Sequence, residues 1–166
     1  MTTSDYTCHR IRTPLKVDGN LTESAWLKAP RSPRFVDMVT GDSAFFDTRA
    51  AALWDDDNLY IGFWVEEPFV EAKLTERDSI IFMENDVEVF IDGGDCYYEF
   101  EINALNTGWD LLLDKPYQDG GKAHNEWEIP GMKTGVDVPF PSTVSVPGTV
   151  GASAKSSVWL SMEGDT

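Results

Sequence analysis

From Glu84 to Asp110 the chain reads ENDVEVFIDGGDCYYEFEINALNTGWD, and its apolar and polar residues alternate. Successive side chains of a strand point to opposite faces. Val87, Val89 and Ile91 therefore share one face, and Asp86, Glu88, Phe90 and Asp92 the other. In the return run, Tyr98, Phe100, Ile102 and Ala104 are the apolar set, and Tyr97, Glu99, Glu101 and Asn103 the polar one. Gly93-Gly94-Asp95-Cys96 supplies turn chemistry between them. A four-residue loop there sets Asp92 opposite Tyr97, Phe90 opposite Glu99, Glu88 opposite Glu101 and Asp86 opposite Asn103. Like charges facing across a ladder destabilise it by roughly 0.2–1 kcal/mol a pair. Solvent, a basic side chain, a bound cation or a hydroxyl-rich ligand has to offset that repulsion.

Other segments carry the same period. TRAAALWDDDNLYIGFWVEE predicts a second hairpin turning at Asp55–Asn58. Its return run is apolar almost throughout, as expected of a central strand covered on both sides. LKVDGNLTESAWLKAP predicts a short strand, an Asp18–Gly19 turn and one helical turn capped by Thr22, with Trp26 as its anchor to the core. FVDMVTG is a short irregular segment. WDLLLDKPY predicts a strand ending at Pro116, and WEIPGMKTGVDV another after a Pro130–Gly131 turn. No segment sustains a helical period, so the expectation is an all-β sandwich or barrel. Residues 8–138 read as one domain. From 139 to 166 the chain is rich in Pro, Ser, Gly and Val and reads as a linker or tail, with one strand expected near Ser157–Met162.

Charge narrows the partners. A net charge of −16 over 166 residues argues against nucleic acid and anionic membranes, and favours calcium or neutral ligands. Six Trp are many for this length and suit surfaces that are apolar on one side and wet on the other. Cys8 and Cys96 cannot build a zinc site alone; they are read either as one disulfide or as two thiols. No apolar run is long enough to cross a bilayer. The first residues lack the apolar stretch of a signal peptide, which leaves export undecided.

Taken in order, VDGNLTESAWLKAP, LWDDDNLYIGF, EEPF, TERDSIIFMENDVEVFIDGGD and YYEFEINALNTGWD resemble the family 9 carbohydrate-binding modules, with the carbohydrate-binding family 9-like branch as the nearest match. The likeness covers roughly residues 8–138. It implies an antiparallel β-sandwich related to the DOMON group, sugar binding without catalysis, a glycoside hydrolase attached or nearby, and calcium as a structural ion. It places the acidic sugar contact on Glu88, an aromatic platform on Phe82, and the polar pair of the next strand on Glu101 and Asn103. Where sugar-binding members carry Arg and Trp, this chain has Glu101 and Phe82. The second platform and the later strands of the family have no counterpart after Val138, so the chain reads as truncated or altered there.

The candidate sugar residues are thus Phe82, Glu88, Glu101, Asn103 and Trp109, with Arg77 as the neutralising partner of the opposed acids. Carboxylates and amides suit sugar hydroxyls because each offers several hydrogen bonds at fixed geometry. A solvated outer face is the competing reading of the same acids. Trp64 and Trp127 are further platform candidates, while Trp26 and Trp54 are assigned to the core. Asp55 and Asp57 are candidate calcium ligands, against the commoner reading of Asp55–Asp57 as plain turn chemistry. Two functions compete with sugar binding: an interaction domain that has lost its ligand, and a glycosidase using Glu88 and Glu101 as paired carboxylates.

Overall fold

The structure, a computed structural model, describes residues 5–138 and the backbone course of 154–163. Its contacts divide into two compact units, Met1–Phe69 with Gly131–Thr166, and Val70–Pro130. No helix among the described residues is long and apolar enough to cross a membrane.

The first unit holds β1 (His9–Arg10), α1 (Ser24–Lys28), β2 (Thr48–Trp54), β3 (Asn58–Glu67), β8 (Lys133–Asp137) and β9 (Ala154–Glu163). They form one sheet in the order β1-β2-β3-β9-β8, antiparallel except for the β1–β2 pair. The apolar run of β3 is central, as its pattern predicts: β2 flanks it on one edge and β9 on the other. β9 contains the strand expected near Ser157–Met162. The single helical turn delivers Trp26, 1% exposed, into a cluster with Leu21, Ala51, Leu53 and Tyr60. Full burial of a large apolar side chain stabilises by about 1.5–3 kcal/mol, more than a five-residue helix could supply by itself.

Three local expectations are corrected. Thr22 does not cap α1, because Asn20 Oδ1 accepts both the Thr22 N–H (2.9 Å) and its hydroxyl (2.7 Å), which ties that hydroxyl to the preceding turn. Leu15 and Val17 pack against the core without joining a strand. Trp54 ends β2 as an exposed ring with the Arg10 guanidinium 5.6 Å from its centroid, a wet edge where the sequence promised a core side chain.

The second unit holds β4 (Asp86–Asp92), β5 (Tyr97–Asn103), β6 (Gly108–Leu113) and β7 (Ala123–His124), antiparallel in that order. The β4–β5 register is the predicted one at every position from Asp86↔Asn103 to Asp92↔Tyr97. Gly94, at φ +91°, takes the left-handed conformation that lets the hairpin close. The Gly93 N–H donates to the Cys96 carbonyl across the turn (2.8 Å). Cys8 and Cys96 are free thiols.

Candidate functional site: a carboxylate row between aromatic rings

Register decides which side chains share a row. Glu88 lies opposite Glu101 on β5, and Glu101 lies opposite Trp109 on β6. Adjacent strands lie about 4.8 Å apart, so the row Glu88, Glu101, Trp109 spans about 10 Å of one face. Phe82, on the 3-10 turn Ile81–Met83, packs on Trp109 with ring centroids 5.3 Å apart and planes tilted by 33°. Its ring is 47% exposed. Phe82, Trp109, Glu88 and Glu101, named from sequence, therefore share one face of the sheet, with Glu101 buried within it.

The row runs from wet to dry. Glu88 is exposed, whereas Glu101 is 2% exposed. Burial first, and then repulsion from Asp86, Glu88 and Glu99, raises the Glu101 carboxyl to about 8. Asp86, one step along β4, is raised to about 7, by burial and then by Glu88. Burial also raises Glu88. Glu99 is raised by burial as well, partly countered by the Tyr117 hydroxyl, which donates to its Oε2 at 2.8 Å.

Asn103 does not join the ligand face; its expected role is corrected. The side chain is 0% exposed and all four of its hydrogen-bonding positions are filled. Its Nδ2 donates to the Leu74 carbonyl (2.9 Å) and to Glu84 Oε1 (2.7 Å). Its Oδ1 accepts from the Leu105 and Thr107 N–H groups (3.0 and 2.9 Å). An amide has two donors and two acceptor lone pairs, so none is left for a sugar. Asn103 instead ties Leu74 and Glu84, which flank Phe82 in the chain, to the β5–β6 turn.

Arg77 is corrected too. It pairs with Asp110, with Glu128 (2.7 Å) and with Asp78 (3.5 Å), rather than with Glu88 or Glu101. Asp110 follows Trp109 on β6 and so points to the opposite face. Gly108 lies on that face as well, and a Cβ there would stand 2.9 Å from an Arg77 guanidinium nitrogen, so glycine leaves room for the cation. Asp110 also accepts the Ile129 N–H (2.6 Å), which makes this cluster a structural tie.

The Asp55–Asp57 calcium expectation is likewise replaced by turn chemistry. Asp55 Oδ1 accepts from the Asp57 and Asn58 N–H groups (2.9 and 2.8 Å), and Oδ2 accepts the Tyr60 hydroxyl (2.7 Å). Burial alone would raise this carboxyl, but those bonds, led by Tyr60, hold it below its ordinary value. Neither Asp55 nor Asp57 belongs to a group of converging acid oxygens among the described residues.

The other platform candidates have neighbours of their own. Trp64 packs edge-on against Trp26 and lies under the Arg31 guanidinium, 3.9 Å from its centroid. Trp127 stacks on Tyr98 at 4.9 Å. Sequence reasoning passed over Tyr117 and gave Phe90 no role as a ring. Both are half exposed, and with Tyr97, Leu113, Pro116 and Gln118 they line a shallow groove of about 340 Å³. Phe90 is two residues beyond Glu88 and shares its face. Its signal was an aromatic at a polar position of the alternation.

Two solved structures share the fold. A candidate carbohydrate-binding protein from Bacteroides uniformis superposes with a TM-score of 0.64 at 12% identity, covering 94% of this chain and 71% of its own. A family 9 carbohydrate-binding module from Caldicellulosiruptor kristjanssonii, in complex with cellotriose, superposes with a TM-score of 0.61 at 13% identity, covering 96% of this chain and 68% of its own. The fold is accordingly all-β, an antiparallel β-sandwich. No curated protein matches the sequence. The family model described as carbohydrate family 9 binding domain-like matches residues 17–114, which take in Phe82, Glu88, Glu101 and Trp109. With more than half of its length matched, the chain belongs to the carbohydrate family 9 binding domain-like family.

Proposed function

We propose that this domain is a non-catalytic carbohydrate-binding module that takes a small sugar or a polysaccharide chain end on the Phe82–Trp109–Glu88 surface. The observation that carries the reading is the half-exposed Phe82 ring, held by Trp109 at the end of a row that finishes in the exposed Glu88. A ring face suits the C–H side of a pyranose, and a carboxylate beside it accepts the outward hydroxyls. Phe90 and Tyr117, along the same face, are suited to a further sugar unit. The natural context for such a module is a glycoside hydrolase, in the same chain or beside it, which it would hold to its substrate.

Glu101 supports the non-catalytic half of the proposal. A glycosidase acid must reach the glycosidic oxygen. At 2% exposure, Glu101 cannot do so without movement of β5. The competing reading, an interaction domain without sugar binding, draws on the burial of Glu101 and the saturated amide of Asn103, which remove two expected contacts. Titration with cellotriose and xylo-oligosaccharides, followed by NMR, separates the two. Shifts clustered around Phe82, Trp109 and Glu88 support the module; no shift with any sugar leaves the interaction domain.

A further inference from the structure

The dry end of the carboxylate row has a chemistry that sugar contact does not explain. Asp86, Glu88 and Glu101 each place one oxygen so that all three lie within 4.8 Å of one another. Glu101 is 2% exposed and its Oε2 has no hydrogen-bond partner. Asp86 Oδ2 is buried without a partner as well. No ion pair among the described residues reaches any of the three: Arg77 is held by Asp78, Asp110 and Glu128, and Lys73 by Glu71. A buried acceptor of this kind is stable when a cation or a proton faces it.

We propose that Asp86, Glu88 and Glu101 bind one divalent cation of the oxygen-seeking, calcium-sized class. Calcium takes carboxylate oxygens at about 2.3–2.6 Å, so ligands on opposite sides of one ion stand up to about 5 Å apart, which accommodates this trio. Glu101 and Asp86 form the floor and Glu88 the rim. The rim side is open, so water fills the remaining coordination positions, or the hydroxyls of a sugar do. That last clause rests on the proposed sugar site; the cation site does not. The second acid group, Asp78, Asp110 and Glu128, differs in one respect: it already encloses the Arg77 guanidinium and has no place for an ion.

The test is calorimetric titration of calcium chloride into chelator-treated full chain, with terbium luminescence sensitised by tryptophan as a second readout. The wild type should take up one ion, and Glu101→Gln and Glu88→Gln should each weaken it by about tenfold or more. Glu88→Gln changes an exposed side chain and keeps the test decisive if Glu101→Gln fails to fold. Asp57→Asn, on the β2–β3 turn, should bind like the wild type. The proposal is overturned if the wild type binds no calcium, if Glu88→Gln binds as well as the wild type, or if Asp57→Asn alone loses the ion. Cellotriose titrated in calcium and in chelator keeps the two readings apart. Sugar binding with no calcium uptake removes the cation and leaves the module; calcium uptake with no sugar binding does the reverse.

Discussion

Replacing Glu101 by Gln should stabilise the chelator-treated protein near neutral pH and flatten its pH dependence. The Glu101 carboxyl is raised from 4.5 to about 8, and Asp86 from 3.8 to about 7. Both folded values exceed the unfolded ones, so the folded protein keeps protons that the unfolded chain has already released. Its stability is therefore greatest below the unfolded values and declines as pH rises toward the folded ones. Between pH 5 and pH 7, each retained proton lowers the unfolding free energy by about 1.4 kcal/mol per pH unit, or about 3 kcal/mol over the interval. Asp86 and Glu101 titrate as a coupled pair, so the second proton adds less than the first. Carboxyls held low, such as Asp18 and Asp37, act in the opposite sense. Their contribution is lost only as pH falls below about 4, which leaves the window above it to carboxyls raised by burial: Asp86 and Glu101 above all, with Glu88, Glu99 and Asp110 acting in the same sense. Glutamine keeps the shape without the proton, so the variant should gain about 3 kcal/mol at pH 7 and much less at pH 5. Urea unfolding in EDTA, followed by tryptophan fluorescence at pH 5, 6 and 7, measures both effects. Wild-type stability that is flat or rises over this range, or a Gln variant less stable than wild type at pH 7, would refute the reasoning.

Excess calcium should raise the wild-type unfolding free energy by mass action, by about 2.7 kcal/mol at a hundredfold excess over its dissociation constant, and that of Glu88→Gln by no more than about 1.4 kcal/mol at the same calcium concentration, both read from thermal melts. Phe82→Ala should abolish NMR shifts with cellotriose while the amide spectrum stays folded; with a single ring pair at the site, wild-type affinity should be near millimolar, about −4 kcal/mol. Trp26→Ala should cost about 3–5 kcal/mol in urea unfolding, because it empties a fully buried position. Arg77→Met should cost about 3 kcal/mol by leaving Asp110 buried without its cation, a loss visible in thermal melts. Incubation with cellodextrins or xylan should release no reducing ends, in wild type or in Glu88→Gln.

The β4–β5 ladder was legible because two runs of alternation and a turn of fixed length leave one register that keeps Val87, Val89, Phe100 and Ile102 together. Phe82 as a platform followed from the family likeness; its packing on Trp109 did not, because no pattern in the sequence sets the Ile81–Met83 turn against β6. Alternation tells which face a side chain takes, but not what lies over that face. Glu101 and Asn103 read as solvent-facing acceptors because their cover comes from elsewhere: Leu74 and Glu84 bond to Asn103, and Tyr117 bonds to Glu99. The partner of Arg77 was hidden for the same reason, since Glu128 and Ile129 approach Asp110 from a loop with no pattern of its own. Asp55–Asp57 shows the reverse case, where local turn chemistry was sufficient.

The pairing of β3 sets an order of events. Residue 58 meets residue 163 and residue 67 meets residue 154, so one edge of the central strand waits for β9, which is made only after Val70–Pro130. Val70–Pro130 lies wholly between the two and contains all of its own strand partners. As the polypeptide leaves the ribosome, that inserted piece can complete its sheet first. The apolar β3 keeps an unfilled edge through this interval, open to pairing with another copy. Long-range ladders also close slowly. Refolding should therefore be biphasic, with the slow phase carrying β9 onto β3, and aggregation should compete with that phase alone.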